Sequence, residues 1–136
     1  VFVKDNFIQD CIGAVSEGQA AVREIVASAV SDPADIVAEL GEPEHAGIFP
    51  LHNSPELTII NFVWAPYMSL IPHNHQMFAV IGIYSGREDN VFWRRTDEGI
   101  EAAGAKSLGT GDVATLGTSI IHSVLNPIGK MTSAIH

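Results

Sequence analysis

From Leu57 onward the chain is a succession of short apolar or alternating runs: LTIINFVW, MFAVIGIY, NVFWRR, DVATLG, SIIHSVLN and MTSAIH. The breaks between them carry turn chemistry, as APY, SG, EG, GTG and NPIG. Short strands at this spacing build an antiparallel sandwich or barrel. Ser85-Gly86 has the composition of a tight turn, which pairs MFAVIGIY with EDNVFWRR as a hairpin. Pro127 and Gly129 mark another turn before the last strand.

The first forty residues have a different period. Val22, Ile25, Val26 and Ala29 recur at helical spacing. Asp32 suits an N-cap, Pro33 a first helical turn and Gly41 a helix end, and Pro43 prevents continuation. The chain of 136 residues is expected to form one domain, with a helical segment over 1–43 packing on a β-barrel over 44–136. The chain opens on Val1 and closes on an apparent strand, so one or both ends are expected to have been trimmed.

Charge narrows the partners. Seven basic against 16 acidic residues give a net charge of −9, which repels phosphate backbones and anionic headgroups. No nucleic-acid partner and no membrane association is expected, and no apolar run has membrane-spanning length. Cys11 is the single cysteine, which excludes an internal disulfide and a cysteine-rich zinc site and fits a cytoplasmic location. It reads as a small buried hydrophobe on a helix.

Two histidines stand out in PHNHQMFAVIGIYSG. If His73 and His75 share a strand, they project side by side on one face. Two inward imidazoles are costly to bury unpaired, and a metal ion is the first candidate to satisfy them. A third, His122, shares a face of SIIHSVLN with Ile120, Val124 and Asn126. If that face looks into the same barrel, three nitrogens converge and leave coordination positions open, as catalytic sites do.

These residues resemble the two motifs of the cupin superfamily. Pro72-His73-Asn74-His75, a strand and Gly86 look like the first; Gly111 through Gly117, His122 and Asn126 look like the second. The resemblance implies a double-stranded β-helix with a metal inside. Most cupins carry a glutamate shortly after the histidine pair, but Gln76 to Ile81 holds no carboxylate, and Glu88 and Asp89 are expected to face solvent. An all-histidine site is similar to the cysteine dioxygenase branch, the thiol dioxygenases.

That resemblance implies His73, His75 and His122 as ligands of Fe(II), with zinc, nickel, manganese or copper able to occupy the same nitrogens. It implies His136, on the returning strand, as the catalytic hydrogen-bonding group. Met77 and Ala79, taken to lie on the ligands' own strand face, would line the substrate pocket with Ile81 deeper. The arginine that anchors a cysteine carboxylate in that branch has no counterpart ahead of the histidine pair, where His52 is a weaker substitute. The implied reaction joins O2 to a small thiol to give a sulfinate. Oxidative cleavage of a diketone-like substrate, or a metal-dependent binding cupin without turnover, are the alternatives. Pairing as a homodimer through sheet edges is also left open.

Overall fold

The computed structural model describes residues 1–73 and 77–136, His73 by its backbone alone. Three helices come first: α1 (Lys4–Val15), α2 (Gln19–Val30) and α3 (Pro33–Leu40). In α2 the valines at 22, 26 and 30 are all buried, because residues four apart lie one above another on a helix face. Asp32 does hold the N-cap position of α3, but its side chain makes no capping hydrogen bond. Gly41 ends the helix at φ +93°, a conformation that a side chain would strain.

The strands are β1 (Gly47–Asn53), β2 (Thr58–Trp64), β3 (Ser69–His73), β4 (Ala79–Ser85), β5 (Arg87–Thr96), β6 (Gly99–Gly109), β7 (Val113–Leu116), β8 (Ile121–Leu125) and β9 (Thr132–Ile135). They form two antiparallel sheets, ordered β1-β2-β9-β4-β7 and β3-β8-β5-β6. This is the expected mainly β class with N-terminal helices.

The hairpin expected at Ser85-Gly86 is absent. β4 lies in the first sheet between β9 and β7, whereas β5 lies in the second between β8 and β6. Gly86, at φ +83°, is the corner where the chain changes sheets. A Cβ there would press on Thr132 and come within 2.9 Å of the Met131 carbonyl oxygen. The true hairpin partner of β5 is β6, paired from Arg87↔Gly109 to Thr96↔Gly99. Likewise His73 ends β3, while the apolar run begins a new strand at Ala79 in the other sheet. Met77 and Ala79 are therefore not on a strand shared with His73.

Alternation along β4 separates two cores. Val80 and Tyr84 face the helices and pack with Val22, Val26, Val30 and Ile36. Ile81 and Ile83 face the space between the sheets, with Leu108, Leu116 and Ala134. Val30, Ile36, Ile81 and Ile83 are fully buried, each contributing about 1.5–3 kcal/mol. Gly82 lets α2 approach, since a Cβ would stand 2.5 Å from the Val26 and 2.8 Å from the Val30 Cγ1 methyl.

Candidate functional site between the sheets

The interior is not wholly apolar. Trp64 from β2, Glu88 and Asn90 from β5, and His122 from β8 are at most 2% exposed. His136, just after β9, has a side chain 9% exposed. The corner at Gly86 explains Glu88. Once β5 enters the second sheet, alternate residues point inward, so Glu88 and Asn90 face the interior while Asp89 faces out. The expectation that Glu88 faces solvent is wrong: it is 0% exposed.

These groups form a connected chain. Trp64 Nε1 donates to Glu88 Oε2 at 3.2 Å, and Asn90 Nδ2 donates to Glu88 Oε1 at 3.0 Å. Asn90 Oδ1 lies 2.8 Å from His122 Nδ1. His136 Nε2 is 3.5 Å from Glu88 Oε2, an ion-pair distance without hydrogen-bond alignment, so both its ring nitrogens are buried without a hydrogen-bond partner among the described residues. The His136 ring also rests against Phe62, with centroids 4.4 Å apart. Burial pushes the Glu88 carboxyl up, but His136, the Asn90 hydrogen bond and the nearby His122 outweigh it and hold the group below its ordinary range.

Of the metal ligands expected from the sequence, His122 on β8 is fully buried. The β3–β8 register sets His73 directly across from it, past an irregularity between Leu70 and His73. His75 lies outside the described residues. Among the described residues no three His, Cys, Asp or Glu side chains are grouped to hold a metal. The donor chemistry of His122 nonetheless suits one, because its Nδ1 is engaged by an acceptor, the arrangement found behind metal-bound imidazoles.

Ala79, Met77 and His136 line a common cavity of about 310 Å³ whose other walls are mostly helix-side residues, Cys11, Val22, Val26 and Val80 among them; His122 and Glu88 do not line it. Met77 is 60% exposed. His52, on β1, is not among the residues lining this cavity, although it pairs with Ile59 of β2, which packs in the helix-side core and does line it. Among the described residues the His52 Nε2 is buried without a hydrogen-bond partner. All four arginines are exposed, so no guanidinium reaches the interior.

Sequence reasoning missed Glu88, Asn90 and Trp64. Their signal was the i, i+2 pair Glu88/Asn90 at the head of a strand, legible only once that strand is known to switch sheets. Asn126, by contrast, was expected on the His122 face and is fully buried. Its amide joins the Ala65 and Lys130 carbonyls at 3.0 and 2.8 Å and Thr132 Oγ1 at 3.0 Å, clamping β8 to β9.

No family model and no curated protein matches the sequence. Solved structures do resemble it. A cupin superfamily protein from Desulfitobacterium hafniense is 17% identical, with a TM-score of 0.53 over 70% of this chain and 79% of the other. A cupin family protein with a double-stranded β-helix fold from Methanocaldococcus jannaschii is 11% identical, with a TM-score of 0.56 over 67% and 76%. A Cupin 2 conserved barrel domain protein from Salinispora arenicola is 20% identical, with a TM-score of 0.51 over 69% and 76%. The chain has the cupin double-stranded β-helix fold. The likeness reaches the fold and no particular branch within it. No helix among the described residues is long and apolar enough to cross a membrane.

Proposed function

We propose that the chain is a mononuclear non-haem Fe(II) dioxygenase of the thiol-oxidising type, with His73, His75 and His122 as the metal ligands. The observation that carries this reading is His122: fully buried, in register with His73, and held through Nδ1 by Asn90 Oδ1. Iron bound by neutral imidazoles supplies activation of O2 and favours an anionic co-ligand such as a thiolate. The overall change balances as R–S⁻ + O2 → R–SO2⁻, with two S–O bonds formed, the O–O bond broken, sulfur oxidised and oxygen reduced.

The chain's own side chains bind and orient. His136 presents buried ring nitrogens beside the cavity and donates or accepts a hydrogen bond to the substrate's reacting end. Met77 and Ala79 line the substrate's path. With every arginine at the surface and Glu88 carrying negative charge inside, an uncharged or cationic thiol suits the interior better than an amino-acid carboxylate. The setting in this reading is the cytoplasm, with the thiol and O2 as small-molecule partners.

Oxygen uptake tests it. Anaerobically iron-loaded protein should consume O2 with a panel of small thiols lacking a carboxylate and release the matching sulfinate. Uptake with enolisable diketones alone would replace the thiol chemistry with carbon–carbon cleavage. Tight binding without uptake would make the chain a binding cupin.

A further inference from the structure

We infer that Glu88, acting through Asn90, is a positioning residue that fixes the tautomer of His122. The functional meaning of this inference rests on the metal reading above, but its geometry does not. Glu88 faces two donors, the Trp64 indole N–H at one oxygen and the Asn90 amide at the other. Among side chains of this size only an ionised carboxylate accepts at both ends. The carboxylate therefore decides which way the Asn90 amide points, because a flipped amide would set its carbonyl oxygen against Glu88 Oε1.

With Nδ2 committed to Glu88, the atom that Asn90 turns toward His122 is Oδ1, 2.8 Å from Nδ1. A carbonyl oxygen only accepts, so the proton of a neutral His122 resides on Nδ1. Nε2 then carries the lone pair, which is the nitrogen a metal requires. Trp64, Glu88, Asn90 and His122 are each at most 2% exposed, so solvent cannot supply the missing partner if one link is removed. Glu88 thus does for the second motif's histidine what no residue beside it in sequence does. It sets the ring state from two side chains away, without touching substrate or metal.

The test reads the ring itself. In metal-free ¹⁵N-labelled protein, above the titration of its histidines, two-bond ¹H–¹⁵N correlation should show a protonated Nδ1 and a pyridine-like Nε2 for His122. Glu88→Gln places an amide N–H₂ against one of the two donors, and the resulting amide flip should move the proton to Nε2 or produce a mixture. Co(II) affinity should fall about 10- to 100-fold in that variant. Should Glu88→Gln fail to fold, Asn90→Leu removes the acceptor at similar volume and must release the tautomer in the same way. An Nε2-protonated ring in the unaltered protein overturns the inference, as does a tautomer that the substitution leaves in place. If the tautomer behaves as stated but the unaltered protein binds no Co(II), the positioning stands and the metal reading fails.

Discussion

Replacing Asn126 by alanine removes the side chain that joins the two strands bearing His122 and His136. Its Nδ2 donates to the carbonyl oxygens of Trp64, Ala65 and Lys130 at 3.3, 3.0 and 2.8 Å. Its Oδ1 accepts from Ile128 N at 3.3 Å and Thr132 Oγ1 at 3.0 Å. Two amide hydrogens shared over three carbonyls, plus two accepted bonds, amount to roughly four net hydrogen bonds of about 1 kcal/mol each. Water entering the small space restores part of this, so Asn126→Ala should cost about 3 kcal/mol. With an m-value of about 2 kcal/mol/M, the urea midpoint falls by about 1.5 M. Asn126→Asp, nearly the same shape, replaces the donors with oxygens aimed at carbonyls and should cost at least as much at neutral pH. The forced burial raises that new carboxyl's folded pKa, so its penalty eases as acid protonates it. Equilibrium unfolding followed by circular dichroism measures all three proteins. A midpoint shift under about 0.5 M for Asn126→Ala would refute the clamp.

Gly82→Ala should destabilise by about 1–3 kcal/mol, because its methyl meets Val26 and Val30 of α2; thermal unfolding decides, and an unchanged midpoint would remove the close helix approach. The Cys11 thiol is pushed up to about 11, first by burial and then by Asp10, so at neutral pH the native protein should react with thiol reagents far more slowly than the unfolded chain; equal rates would contradict this. Glu88 is depressed below its ordinary 4.5, so the stability it confers is present above that value and lost as pH falls through the lower folded value. Urea unfolding in acid should accordingly show a shallower pH slope for Glu88→Gln than for the unaltered protein, and equal slopes would sink the point.

The helices and most strands were legible because their patterns match their periods: valines four apart in α2, and continuous apolar runs in the doubly covered β4. β1 and β6 were not. GIFPLHN carries Pro50 in an edge strand, and GIEAAGAKSLG is rich in glycine and alanine, exposed over most of its length and without a buried alternate face to leave a period. Which strand pairs with which is a long-range property that a two-residue turn motif does not carry. Ser85-Gly86 looked like a hairpin turn, and its glycine instead serves a corner packed against Thr132. That single error hid Glu88: on a solvent-facing hairpin it is a surface acid, and past a sheet switch it is an interior one. His122 was readable because it falls on the buried face of a strand that stays where its pattern put it, and Asn126 follows directly on that strand's end.

X-ray absorption on anaerobically Fe(II)-loaded protein, set against the same measurement on His122→Ala, bears most directly on the three-histidine centre. One tightly held iron per chain is expected, with three imidazole nitrogens in its first coordination sphere, and the variant should lose one nitrogen together with most of the bound iron. Iron bound equally well without His122, or no stoichiometric iron in the unaltered protein, would contradict that expectation.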